Sequence, residues 1–287
     1  MRLLCAICFL LTLFVVTPAH VMAASQGTVT MLDGKGSLIR GTSRYTLVKG
    51  IELQQGDILE LNDNSLTQVE FGDGTAVSFG EQSRVMFFSA LSGKRTQVEI
   101  YILRGIVKAS SAKGAKQLQI DTPLMNIAFT DATGVISVSP TEAEMFFETG
   151  GAKITAGRSG VKIKEGEYCS IKAGKKPAVM NRPPQSFIAN LPIPFRDSLP
   201  SLLTKTGNRK VQLGKPLDFS YKEVEPWLDS KPTVRRYLAN QWNPKAHDPS
   251  FRKELIHNMH KHPEWGRVLS PEKNVNTVPK VGAEAVK

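Results

Sequence analysis

From residue 27 to about 172, apolar and polar side chains alternate in short runs separated by glycine, aspartate and asparagine, and no stretch holds a helical period. Gln68-Val69-Glu70-Phe71 alternates polar and apolar, Gly72-Asp73-Gly74 turns the chain, and Ala76-Val77-Ser78-Phe79 alternates again. Alternation sends successive side chains to opposite faces, so each run predicts a strand with one apolar face turned inward. The Asp-Gly pair supplies the positive φ that a tight turn needs. Further strands are predicted at 98–103, 106–109, 118–122, 135–138, 145–147, 152–155, 161–163 and 168–171. A spacing of about ten to fifteen residues fits a β-sandwich, a barrel or a short β-solenoid. Periodicity alone does not choose among them, because all three bury alternate side chains of short strands.

After residue 172 the pattern changes. Ala173-Gly174-Lys175-Lys176-Pro177 is followed by prolines at 183, 184, 192, 194 and 200, which predicts an extended, exposed connector over 173–220. A small helical appendage is expected over 221–271. Within it, 231–242 reads as a helix with Pro232 in the first turn and Val234, Leu238 and Trp242 spaced by four. A second helix starts at Asp248 as N-cap with Pro249 next, placing Phe251, Leu255 and Met259 on one face. All three tryptophans, Trp227, Trp242 and Trp265, fall in this region and read as its core, packed on the β domain. Residues 272–287 are polar and read as a disordered tail.

The first residues change the compartment. Arg2 precedes an apolar run of about fourteen residues, and Val21-Met22-Ala23 is a small-residue cleavage pattern, so 1–23 reads as a signal peptide cleaved near Ala23. The expected location is the periplasm. No later stretch is apolar for long enough to span a bilayer. Cys5 and Cys8 leave with the leader, and the remaining Cys169 alternates with Ile171 as a small buried side chain. Charge is uneven: residues 24–150 hold eleven basic and fourteen acidic side chains, residues 151–287 twenty-five and twelve. The basic half favours an anionic partner such as lipid phosphate or a cell-wall glycan, or another protein of the envelope. Export argues against nucleic acid.

The β region resembles the FecR domain through an ordered set of short motifs. Gly56-Asp57 opens a strand, Thr67-Gln68-Val69-Glu70-Phe71-Gly72-Asp73-Gly74-Thr75 with Val77 is similar to the family's strand, Asp-Gly-Ser/Thr turn and returning strand, and Leu103-Arg104-Gly105-Ile106-Val107 is similar to its leucine-x-glycine strand. Asp121-Thr122-Pro123 and Thr133-Gly134-Val135-Ile136-Ser137-Val138 resemble later elements, with Thr and Gly in reversed order. The resemblance covers 48–138, with 24–172 as the whole β domain. It implies a β-solenoid-like or sandwich domain outside the cytoplasmic membrane, which in some relatives relays a signal to a sigma factor. Those relatives use a cytoplasmic segment and a membrane span that this sequence is not expected to have, so a non-catalytic binding module, a protein-interaction scaffold or sensory accessory, is the expectation. Gly56, Asp57, Gly72, Asp73, Gly74, Thr75 and Gly105 are then structural turn residues.

Candidate chemistry is sparse. Lys172, Lys175, Lys176 and Arg182, followed by Lys205, Arg209, Lys210 and Lys215, form a basic run that suits anion binding as well as it suits a solvated connector. His247, His257, His260 and His262 cluster, and His257 and His260 could share a helical face, yet no cysteine or well-placed carboxylate completes a zinc set, so no metal is assigned. Asp57, Asp63 and Asp73 could be cast as a glycan-cleaving acid pair, although each sits where aspartate stabilises a turn. With no nucleophile elbow and no phosphate-binding loop, neither a catalytic residue nor a cofactor is assigned.

Overall fold

The computed structural model describes residues 27–89, 98–115, 117–203 and 211–269. Its β region is mainly two stacked sheets, linked through one long strand. In spatial order, sheet I runs β4 (Glu52–Leu53), β1 (Gly27–Asp33), β6 (Leu66–Glu70), β7 (Ala76–Phe79), the second half of β9 (Val98–Ser111), β12 (Ala132–Val138), β13 (Glu142–Thr149), β16 (Tyr168–Lys172) and β17 (Ala178–Met180). Sheet II runs β3 (Ser43–Thr46), β2 (Gly36–Arg40), β5 (Ile58–Leu61), β8 (Arg84–Ser89), the first half of β9, β10 (Leu118–Asp121), β11 (Asn126–Phe129), β14 (Gly151–Ala156) and β15 (Ser159–Lys164). From β6 onward the chain lays down strands in pairs that alternate between the sheets, as in a flattened solenoid. All pairings are antiparallel except β9 with β10.

The segments expected as two strands, 98–103 and 106–109, are one strand that changes sheets at Gly105. Its φ is +125°, and a Cβ there would lie 2.3 Å from Ser83 Oγ and 2.6 Å from Ser83 Cα. Only glycine lets the strand cross so close to its neighbour, and the β8 register slips beside it, between Arg84 and Val85.

Alternate side chains of both sheets fill the space between them. Val29, Leu38, Val69, Val77, Ile100, Ile120, Ile136, Met145, Ile154 and Cys169 are fully buried there. Each such side chain contributes about 1.5–3 kcal/mol relative to exposure.

The outer face of sheet II carries a second apolar set, Ile39, Ile58, Met86 and Tyr101, covered by the C-terminal helices. These are α2 (Tyr221–Leu228), α3 (Pro232–Gln241), α4 (Pro249–His257) and α5 (Gly266–Leu269), preceded by α1 (Gln185–Ala189) in the connector. Proline starts α3 and α4 at a position whose N–H has no helical partner, and Asp248 caps α4 by accepting from Ser250 N at 2.9 Å and Phe251 N at 3.2 Å. Trp227, Trp242 and Trp265 are fully buried, and Trp227 Nε1 donates to Glu60 Oε1 of β5 at 2.9 Å. Helix α2, with Pro226 inside it, is not among the expected helices although Tyr221, Val224, Trp227 and Leu228 share its buried face; Glu223 starts it by accepting the Ser220 N–H at 2.7 Å.

The connector is less exposed than its composition predicts. Phe187, Leu191 and Phe195 bury themselves with Val135 and Tyr168 on the outer face of sheet I. Proline fixes the path, and the three apolar side chains anchor it. Among the described residues no helix is long and apolar enough to cross a membrane. The segments expected to be a leader (1–23) and a disordered tail (272–287) lie outside the described residues.

Candidate interaction surface

The motif residues hold turns. Gly56 has φ +84°, and a Cβ there would sit 2.3 Å from Tyr237 Oη of α3, so this glycine serves both the turn and the seat of the appendage. Asp57 closes the turn by accepting Gln54 N at 2.8 Å and also takes Arg40 Nε at 2.9 Å and Nη2 at 2.6 Å. Burial outweighs the Arg40 charge and leaves its carboxyl above the usual range. Asp73 Oδ1 accepts Thr75 N at 3.0 Å, and Gly74 takes φ +86° in the same hairpin. Gly72 is exposed, and a Cβ there would meet nothing within 4 Å.

Asp57, Asp63 and Asp73 occupy three separate turns. Asp63 accepts from Gln82 Nε2 at 2.6 Å, and the groups that each acid holds belong to its own surroundings. The acid pair needed for glycan cleavage is therefore not assembled from them. The histidines are also dispersed. Helix α4 ends at His257, so His260 falls in the following 3₁₀ turn and does not share its helical face. His262 is buried, with Nε2 2.6 Å from Tyr221 Oη. Among the described residues no group of three potential ligands could hold a metal.

The anion-binding candidates divide. Lys205, Arg209 and Lys210 lie outside the described residues, and Lys215 is exposed in the strand-like segment before α2. Lys172, Lys175, Lys176 and Arg182 are exposed on or beside the β16–β17 hairpin, the last rung of sheet I. The fold adds four cations that sequence proximity did not single out. Lys153 lies directly across from Lys162 on β14 and β15, the last rung of sheet II, and Lys164 and Arg158 flank them. Residues 151–182 hold eight basic and two acidic side chains, and all eight are exposed. Among the described residues the one ion pair recorded for these eight is Lys172 with Glu142, at 3.6 Å. Two strand edges, β15 and β17, end the sheets here with Val179 and Met180 partly exposed. At the opposite end β4 is two residues long, and Arg44 of β3 exchanges both backbone hydrogen bonds with Leu217 at 2.8 Å.

One transverse row crosses the outer face of sheet I through paired positions: Gln68, Ser78, Lys108, Val135, Phe146, Tyr168 and Met180. Alternation marks Gln68, Glu70 and Ser78 as solvent-facing, yet Gln68 and Lys108 are fully buried and Glu70 and Ser78 nearly so, because the connector lies over them. Lys108 Nζ donates to Glu148 Oε1 at 2.7 Å and to the carbonyls of Phe195 at 2.9 Å and Asp197 at 2.8 Å. Gln68 Nε2 donates to the Pro200 carbonyl at 2.6 Å, and Glu70 accepts Leu202 N at 2.8 Å and Leu203 N at 3.0 Å. Hydrogen bonds from Thr30, Leu202, Leu203 and Gln68 overcome desolvation and hold the Glu70 carboxyl below its usual range. Two grooves flank the connector, both lined by Glu81, Asn190 and Leu191. One, of about 530 Å³, reaches Arg104 and Gly105, and the other, of about 370 Å³, reaches Asp33 and Ile193.

Residues 57–153 match the family model described as FecR protein. No curated protein matches the chain. Two crystal structures from Parabacteroides distasonis ATCC 8503, each provisionally described as an anti-sigma factor, are similar to it at 15% and 14% identity with a TM-score of 0.40. Each alignment covers 46% of this chain and 63% or 62% of the other, so the chain spans less than two thirds of those proteins.

Proposed function

We propose that this chain, which carries a FecR domain over residues 57–153, is an exported sensory or regulatory module that acts by binding a protein of the cell envelope. Proteins of this family are typically regulatory and non-catalytic, and their partners are proteins. The observation that carries the reading is the asymmetry of the sandwich: one end is blunted by the short β4 and the Arg44–Leu217 bridge, and the other presents two strand edges inside a field of eight cations. An exposed edge adds a partner strand through main-chain hydrogen bonds, and surrounding lysines select an acidic one. Periplasmic location, resting on the leader pattern of 1–23, belongs to the same proposal.

The test is a pull-down from envelope extract with the chain beginning at residue 24, run beside a Lys153→Glu, Lys162→Glu, Lys164→Glu variant. A protein retained by the first and lost by the variant supports the reading; identical recovery by both defeats it. A second reading is favoured by Lys153 facing Lys162 with no acid recorded between them: the same end holds an anionic polymer of the envelope. Cosedimentation with cell walls or with vesicles rich in anionic lipid, weakening steeply with salt, separates it from the first.

A further inference from the structure

We propose that the outer face of sheet I is a binding track for an extended polypeptide segment, filled in this structure by the chain's own residues 195–203 and open to exchange with such a segment from a partner. The track is laid by the transverse row. Its apolar half, Val135, Phe146 and Tyr168, receives Phe187, Leu191 and Phe195, and its polar half grips the main chain from Phe195 to Leu203.

The manner of gripping separates this contact from ordinary sheet packing. Lys108, Gln68 and Glu70 make six hydrogen bonds to residues 195–203, five of them to main-chain atoms and one, at 3.4 Å, from the Ser201 hydroxyl to Glu70. The recorded backbone-to-backbone hydrogen bonds of residues 187–196 are all local, to carbonyls of 184–193, so none ties this stretch to the sheet as a strand. A segment crossing the strands and held by side chains is held as a bound peptide is. Because its main chain is what is recognised, the track places few demands on side chains. It asks for an aromatic ring where Phe195 sits, carbonyls at that position and two residues on, and non-proline residues at the positions of Leu202 and Leu203, whose N–H groups Glu70 takes. The partner's segment is therefore extended, apolar at its start and free in sequence afterwards. The two grooves are lined by residues 186–194, just before the resident segment, and Ile193 in the second is 72% exposed. This inference is independent of the basic end, and either stands if the other fails.

An occupied track lowers the apparent affinity for any competitor by the fraction of molecules whose own segment is released. The probe is a fluorescently labelled synthetic peptide of residues 185–203, titrated into the chain beginning at residue 24. Phe195→Ser in the chain loosens the resident segment, and the peptide should then bind about tenfold or more tightly than to the unaltered chain. Adding Lys108→Met should abolish that gain. Far-UV circular dichroism for the β body and emission of the three tryptophans for the appendage report that each variant remains folded. Equal affinity for the Phe195→Ser and unaltered chains overturns the proposal. Should Phe195→Ser unfold the protein, hydrogen exchange at the Leu202 and Leu203 amides of the unaltered chain decides: acceleration by excess peptide supports exchange on the track, and unchanged protection overturns it.

Discussion

Gly105→Ala probes the crossing on which the architecture depends. The substituted residue keeps φ near +125°, outside the regions open to an L side chain, at about 1–3 kcal/mol. Its Cβ also enters the space of Ser83, with Oγ at 2.3 Å and Cα at 2.6 Å, and forcing atoms apart in a packed site costs about 1–3 kcal/mol more. Since the nearest backbone atom belongs to Ser83 itself, trimming that side chain relieves only part of the clash. Taking about 4 kcal/mol, and about 2–4 °C per kcal/mol for a protein of this size, Tm falls by about 8–16 °C. Against a total stability of about 5–15 kcal/mol the protein still folds, so thermal unfolding followed by far-UV circular dichroism measures the loss. Gly72→Ala, in the Asp-Gly turn, is the matched control: a Cβ there meets nothing within 4 Å, and Tm should hold or rise slightly. A Gly105→Ala shift of less than about 2 °C would refute the reasoning that the strand changes sheets through this glycine.

Burial holds the His262 imidazole below its ordinary range, against the pull of Asp229 and Glu264, while Arg235 and Lys261 push the same way as burial. The folded state then binds fewer protons than the unfolded one, so the stability this residue adds is present above about pH 6.5 and is lost as pH falls through the lowered value. Tryptophan emission, which reports the appendage alone, should show it loosening in acid, and His262→Gln should flatten that profile. Trp227→Phe removes the indole N–H from Glu60 and leaves a void in the appendage core, costing about 1–4 kcal/mol in urea unfolding followed by the remaining tryptophans. Cys169 is buried and its thiol is pushed up to about 11, so a thiol reagent should label the native chain from residue 24 only as fast as the protein unfolds.

Local chemistry was enough to read the strands from 118 to 171, apart from β11 (Asn126–Phe129), and the two main helices. Alternation reports burial directly when one face is inside, as in Ala143, Met145 and Phe147 of β13, and Pro232, Asp248 and Pro249 state where helices begin. What could not be read depends on distant segments. Gln68, Glu70 and Lys108 carry the polar signature of a solvent face, and only a connector some 90–130 residues further along the chain buries them. The prolines that made that connector look exposed set its path across the sheet, and the signal that could have placed it was the spacing of Phe187, Leu191 and Phe195. The basic end was half legible: Lys172, Lys175 and Lys176 are neighbours in sequence, whereas Lys153 and Lys162 meet only because β14 and β15 form a hairpin. For the histidines, spacing suggested a shared face, but α4 stops at His257.

Free strand edges are a hazard, because an unpaired row of N–H and C=O groups templates association with any similar edge. At β15 and β17 the same lysines that are proposed to recruit an acidic strand would also repel a second copy of this end, so one charge pattern would serve both selection and avoidance. Salt weakens both effects, with opposite outcomes for partner binding and self-association. Screening, with a Debye length of about 8 Å at physiological ionic strength, weakens attraction to an acidic partner and equally weakens repulsion between copies. An edge that only avoided aggregation would lose solubility as salt rises without losing any partner. An edge built for recognition loses its partner over the same range, and both slopes shrink together when Lys153, Lys162 and Lys164 are neutralised.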